Sequence, residues 1–125
     1  MMKIVLAERE AEIMEVLWMR GPSTVAEVRE RLKDTLAYTT VLTILRNLET
    51  KGYLGHDEDG RAHRYSPRIL REAAQRSALR DLAAKLFSGS SALLLTALVR
   101  DENLTEEDIK RIRRLLSGRT RRGAP

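Results

Sequence analysis

Apolar residues recur at helical spacing along residues 6–19. Met14, Leu17 and Trp18 stand at i, i+3 and i+4, and Ile13 and Val16 widen the face. Glu8, Glu10 and Glu12 crowd the first turns, where the helix dipole favours acids. Arg20-Gly21-Pro22 predicts the end, since Gly supplies a C-terminal cap and Pro cannot continue a helix. A second helix starts at Ser23-Thr24. Thr24 and Glu27 have capping-box spacing, and Val25, Val28 and Leu32 form its buried stripe. Leu36-Ala37 is a short connector. A third helix is predicted over residues 38–51. At 100° per residue, Val41, Ile44, Leu45 and Leu48 share one side, and Thr39, Thr43, Arg46, Asn47 and Thr50 the other. Gly52 is the expected cap.

The period then changes. Residues 53–57 alternate weakly as a strand, Glu58-Asp59-Gly60-Arg61 is a turn carrying the Asp-Gly hairpin signal, and residues 62–65 are the returning strand. Ser66-Pro67 predicts a new helix, with an N-cap and Pro at its first position. That helix, over residues 67–87, carries Leu79, Leu82 and Leu86 close to a heptad seam, and Ser88-Gly89-Ser90-Ser91 breaks it. Residues 92–99 are apolar all round, which predicts burial. Thr105 caps a last amphipathic helix bearing Ile109, Ile112, Leu115 and Leu116, and Ser117-Gly118 is its expected stop.

Three helices followed by a two-strand hairpin is the order of a winged helix-turn-helix. The expected fold class is therefore mainly α with a small β-hairpin wing. The expected organisation is a winged-helix domain over residues 1–66, a helical region over 67–118 and a disordered basic tail over 119–125. A third helix with one apolar side and one side of hydroxyls, Arg and Asn suits the major groove of duplex DNA. Thr hydroxyls can reach phosphates or base edges, Arg46 can bridge a guanine edge and Asn47 can pair with adenine. Threonine is a mediocre helix former, so Thr39, Thr40, Thr43 and Thr50 in one helix call for a reason. The alternative is an ordinary solvated surface. Leu42 lies at the edge of the polar side, either touching thymine methyls or packing on a neighbouring loop. Arg61 at the hairpin tip, with Arg64 beyond it, would grip the minor groove or its phosphates, although Asp57, Glu58 and Asp59 oppose such a grip.

Composition narrows the function further. The chain has 125 residues, enough for one ordinary domain or a small domain with an oligomerisation arm. With no Cys, thiolate metal sites, disulfide scaffolds and Cys nucleophiles are excluded. Aromatics are only 4%, too few for a single-strand stacking platform. The longest near-apolar run, residues 92–99, falls far short of the roughly 20 residues of a membrane span. Residues 1–7 are too short a core for a signal peptide, so a cytoplasmic protein that touches no membrane is expected. The net charge is +5, divided as −1 over residues 1–66 and +6 over residues 67–125. A small basic protein suits an anionic partner, but the excess lies outside the winged helix, where a solvated helix face and a frayed tail also account for it.

Several runs carry a family resemblance. Residues 6–18, Leu-Ala-Glu-Arg-Glu-Ala-Glu-Ile-Met-Glu-Val-Leu-Trp, resemble the first helix of the BlaI/MecI-type penicillinase-repressor family. Residues 37–45, Ala-Tyr-Thr-Thr-Val-Leu-Thr-Ile-Leu, resemble its recognition helix, and residues 51–54 and 61–67 its hairpin. The similarity runs in order over residues 6–118, by layout more than by motif in the C-terminal half. It implies a transcriptional repressor that binds a palindromic operator as a homodimer. The implied DNA contacts are Ala37, Tyr38, Thr39, Thr40, Thr43, Arg46 and Asn47, with Arg61 in the wing. The implied dimer interface lies in the C-terminal helices, with Leu79, Leu82, Leu86, Leu94, Leu98, Ile112 and Leu116. Ala7 stands where the family often has Ser or Thr, losing a helix cap worth about 1 kcal/mol. Members that respond to β-lactams are cut at an Asn-Phe bond. Ala97-Leu98 stands there in this chain, which argues against regulated cleavage and leaves a regulatory protease or sensor partner an open question. The copper-responsive mode needs cysteines that this chain lacks.

No enzyme is expected. His56 and His63 would face each other across the hairpin, but with no third nitrogen ligand and no thiolate they read as strand residues, so neither a metal nor a cofactor is expected. The serines have no His in a local motif, the glycines form no phosphate loop, and Trp18 reads as core. Two other functions compete with the repressor: a winged-helix interaction module without specific DNA binding, and a small-molecule sensor. Few aromatics and no convergent polar groups argue against the sensor.

Overall fold

The computed structural model describes residues 3–101 and 103–123. Helix α1 (Glu8–Arg20) is followed by a two-residue strand β1 (Ser23–Thr24), α2 (Val25–Arg31) and α3 (Tyr38–Thr50). Strands β2 (Leu54–Asp59) and β3 (Ala62–Pro67) form the hairpin, and α4 (Arg71–Leu86), α5 (Ser91–Arg100) and α6 (Glu106–Gly123) complete the chain. The sheet has three strands in the order β1-β3-β2, all antiparallel. The predicted two-strand hairpin thus gains a third member, because Ser23 and Thr24 pair with Tyr65 and Arg64 before α2 begins. Two residues are too few to show a period of two in the sequence.

The chain divides into two compact units, residues 1–79 and residues 80–125. The first has a core of Ile13, Met14, Leu17, Val28, Val41, Leu45 and Leu48, all without solvent exposure, closed by Leu54 and Tyr65 from the sheet. The division falls downstream of the expected boundary at residue 66 because the start of α4 packs on this core. Ala74 belongs to the buried cluster, the Trp18 indole donates to the Ile69 carbonyl at 3.0 Å, and Arg71 pairs with Glu15 at 2.8 Å. The Ile4 amide also donates to Ser77 Oγ at 2.8 Å.

Helix ends follow local chemistry. Thr24 and Glu27 make both bonds of the capping box. Ala7 has no side-chain oxygen to offer at the start of α1, but Glu10 accepts from its amide at 2.9 Å and preserves half of the motif. Gly52, at φ 87°, ends α3 in a Schellman motif: its amide reaches the Glu49 carbonyl, and that of Tyr53 reaches Leu48.

Three boundaries differ from expectation. Ser66-Pro67 does not open a helix, because Gly55 and Leu54 hold these residues in β3 and the Arg68 amide bonds to the Tyr53 carbonyl at 2.9 Å. The turn centres on Gly60-Arg61 rather than Asp59-Gly60, since Asp59 pairs with Ala62. Gly60, at φ 65°, then stands first, as a type II′ loop requires. Helix α6 passes through Ser117-Gly118 to Gly123, where a disordered tail was expected. A solvated glycine costs a helix only about 1 kcal/mol, too little to stop it. Ala124 and Pro125 lie outside the described residues.

In the second unit α5 is not buried all round. Leu94 alone among its described residues is covered, at 9% exposure, while Leu93, Leu98 and Val99 are open. No single helix among the described residues is long and apolar enough to cross a membrane.

Candidate nucleic-acid interface

Helix α3 is held by Val41, Leu45 and Leu48, which enter the core from one side. Ala37, Tyr38, Thr39, Thr40, Thr43, Arg46 and Asn47 are all exposed. Ala37 is the N-cap and makes no side-chain bond, so the helix begins uncapped beside its exposed first turn. Leu42 is partly buried against the core, which favours packing over a thymine contact.

The threonines divide by role. Thr43 donates its hydroxyl to the Thr39 carbonyl at 2.8 Å, and Thr50 donates to that of Arg46 at 3.0 Å. These bonds to the preceding turn give two threonines a local reason to be in the helix, and leave their oxygens as acceptors.

The wing meets α3 through Glu49 and through His56, which the sequence marks only as a strand residue. Tyr65 is buried in the middle of β3, opposite His56 on one side and Ser23 on the other. Burial pushes its phenol up, and the charge of Glu49 adds to this. The Arg46 guanidinium opposes the shift. His56 places Nδ1 2.6 Å from Glu49 Oε2 and stacks on His63, with ring centroids 4.3 Å apart and planes within 11°. The two histidines do meet, but diagonally, since His63 pairs with Glu58 in the ladder. Among the described residues, no three His, Asp or Glu are placed to hold a metal ion. The alternation 54, 56, 58 against 63, 65, 67 was the available signal for this face.

At the wing, Arg61 is exposed and unpaired among the described residues. Arg64 is engaged: it bridges Asp59 at 3.0 Å and Glu27 at 2.9 Å, tying the hairpin to α2. Its guanidinium is raised by the Asp59 hydrogen bond first and the Glu27 charge second. Asp59 is thereby neutralised, which removes part of the acidic opposition expected around Arg61, while Asp57 and Glu58 remain exposed.

Of the C-terminal leucines named from the sequence, Leu79, Leu82, Leu86, Leu98 and Leu116 are exposed, Leu86 by 74%, and Ile112 is half-buried. Leu94 departs from this set. It is buried, at 9% exposure.

Known proteins share this layout. The chain is 37% identical over 110 residues to the transcriptional regulator BlaI of Mycobacterium tuberculosis, covering 85% of this chain and 80% of that protein. The solution structure of the DNA-binding domain of the repressor BlaI superposes with a TM-score of 0.50 at 32% identity, over 56% of this chain and 90% of that one. A MarR family protein from Bacillus stearothermophilus matches 98% of this chain and 78% of its own with a TM-score of 0.50, and at 19% identity it shares the fold alone. The penicillinase repressor family matches residues 6–118, and the chain belongs to that family.

Proposed function

We propose that this chain is a sequence-specific duplex-DNA-binding transcriptional repressor that binds a palindromic operator as a homodimer in the cytoplasm. The observation that carries this reading is the two-sided helix α3: its apolar side is locked in the core, and its side of Tyr38, Thr39, Thr40, Thr43, Arg46 and Asn47 is open. A helix so held enters the major groove as a rigid body. Thr39 and Thr40, beside Ala37 and Tyr38 at the uncapped helix start, lie where phosphates approach. Arg46 and Asn47 reach base edges, and Arg61 takes a phosphate at the wing.

The dimer is built by the second unit. Leu82, Leu86, Leu98 and Leu116, extended by Leu79 and Ile112, supply an apolar surface that a second copy covers, and Leu94 supports it from inside. No cofactor and no catalytic step enters this function.

A mobility-shift titration against DNA from upstream of the protein's own gene tests it, at two salt concentrations with unrelated duplex as competitor. The expected result is a discrete complex that survives competitor, with a footprint of two half-sites one helical turn or a multiple apart. A smear that vanishes with salt or competitor for this and every other duplex tried would overturn the reading in favour of an interaction module.

A further inference from the structure

We propose that α6 carries a basic stripe, Lys110, Arg111, Arg113 and Arg114, that holds the phosphate backbone of duplex DNA without reading its sequence. The proposal rests on the DNA-binding reading above for its choice of partner, and adds a second contact surface in the other unit.

Helical spacing sets the stripe. Glu106, Glu107 and Asp108 form the acidic first turn of α6, and no acid follows them. At 100° per residue, Lys110, Arg111, Arg113 and Arg114 share one side, and Ile109, Ile112 and Leu116 the other. All four basic side chains are exposed, and among the described residues none stands in an ion pair. The charge of Arg111 reaches Asp108, but that carboxylate accepts from the Thr105 amide at 3.1 Å and belongs to the helix cap. The first unit treats its cations differently: Arg9, Arg20, Lys51, Arg64 and Arg71 each lie 2.8–3.4 Å from a carboxylate.

Local helix chemistry does not account for the stripe. The dipole favours cations only in the last turn, and these four lie in the first half of an 18-residue helix. Lys110 stands three and four residues before Arg113 and Arg114, and Arg111 three before Arg114. Like charges at these spacings destabilise a helix in free solution, and a bound polyanion relieves them. Ile112 and Leu116, on the opposite side, are assigned to the second copy, which leaves the stripe uncovered by the dimer. A helix lying on a membrane would need that apolar side for the bilayer, with Trp or Phe to anchor it, and α6 has no aromatic residue. A row of phosphates suits guanidinium forks, which bind each one bidentately and carry no sequence information.

The test uses the full chain and an unrelated mixed-sequence duplex, with fluorescence anisotropy followed over a series of salt concentrations. The triple variant Lys110→Gln/Arg113→Gln/Arg114→Gln keeps good helix formers at each position. It should bind this duplex about 10- to 100-fold more weakly at low salt, and the slope of log affinity against log salt should flatten by at least about 2. Sedimentation and melting temperature should match the wild type. Arg113→Gln alone should flatten the slope by about 1, whereas Arg119→Gln, on the apolar side of the same helix, should leave it unchanged. A wild-type slope in the triple variant, an equal flattening in Arg119→Gln, or a loss that sedimentation traces to a broken dimer would overturn the stripe. So would tighter binding of the wild type to phosphatidylserine vesicles than to the duplex. A wild type that binds every duplex equally, with a slope that flattens in the triple variant, would overturn the sequence-specific reading and leave the stripe standing.

Discussion

The two units of the chain handle their apolar residues in opposite ways. In residues 1–79, every helix and the sheet contribute to one covered core, and Ile13, Leu17, Val41, Leu45 and Leu48 have no exposure at all. In residues 80–125, Ala83 and Leu94 are the only buried apolar side chains among the described residues, while Leu82, Leu86, Leu93, Leu98, Val99, Leu115 and Leu116 face outward. Burying apolar area stabilises by roughly 25 cal/mol per Å², so the first unit gains from its own fold what the second leaves unrealised. Large exposed apolar patches mark interaction surfaces. The difference separates two tasks. On the proposed reading, the self-contained core presents the DNA-contacting helix and the open apolar side chains of the second unit meet a second copy.

The sharpest way to break this comparison is to charge the open surface. Leu98→Asp, at a position 50% exposed, should leave each unit folded and abolish the dimer. Operator affinity should then fall by about 10²- to 10⁴-fold, the loss expected when two linked half-sites become independent. Sedimentation at low micromolar protein checks it, and a persisting dimer would place the interface elsewhere. The matching change in the first unit is Leu45→Ala, which empties a covered site. It should cost about 2–5 kcal/mol in denaturant unfolding, by an amount independent of protein concentration. A concentration-dependent cost would mean that the first unit also relies on its partner.

Smaller effects probe the joints. Gly52→Ala meets no neighbouring atom, so its cost is the backbone strain of a φ of 87°, about 1 kcal/mol by unfolding. Acid should act on the first unit through Glu10, which pairs with Lys51 at 2.8 Å and joins α1 to the end of α3. Burial raises the Glu10 carboxyl, yet the Lys51 hydrogen bond, the Ala7 amide and the Lys51 charge together hold it below the ordinary range. A carboxyl with a lowered folded pKa contributes stability above its unfolded value, and that stability is lost as pH falls through the folded one. Melting temperature followed from neutral to acid pH should therefore decline, and Glu10→Gln should start lower and decline less.

Much of this was legible in the chain. The period of Val41, Leu45 and Leu48 against Thr39, Thr43 and Asn47 located α3 and its two sides, because helical geometry makes spacing equivalent to facing. Gly52 and the Thr24–Glu27 pair marked their helix ends through purely local bonds. The misplaced boundaries share one cause. Ser66-Pro67 looks like a helix start by local chemistry, but ladder partners more than ten residues away hold it in a strand. Ser23-Thr24 joins the sheet for the same reason. Arg64 looked like a DNA contact and is instead committed to Asp59 and Glu27, a pairing that spans separate elements.

Sequence alone, then, determined the order of the helices and the hairpin, the polar side of α3 and the apolar character of residues 92–99. All of these are properties of neighbours within a few positions, where spacing is geometry. Tertiary structure decided which of those residues are free. It set Arg61 apart from Arg64, buried Leu94 while leaving Leu98 open, and brought His56 of the hairpin to Glu49 of α3. Those outcomes depend on strand register and on packing between distant segments, and no local period encodes either.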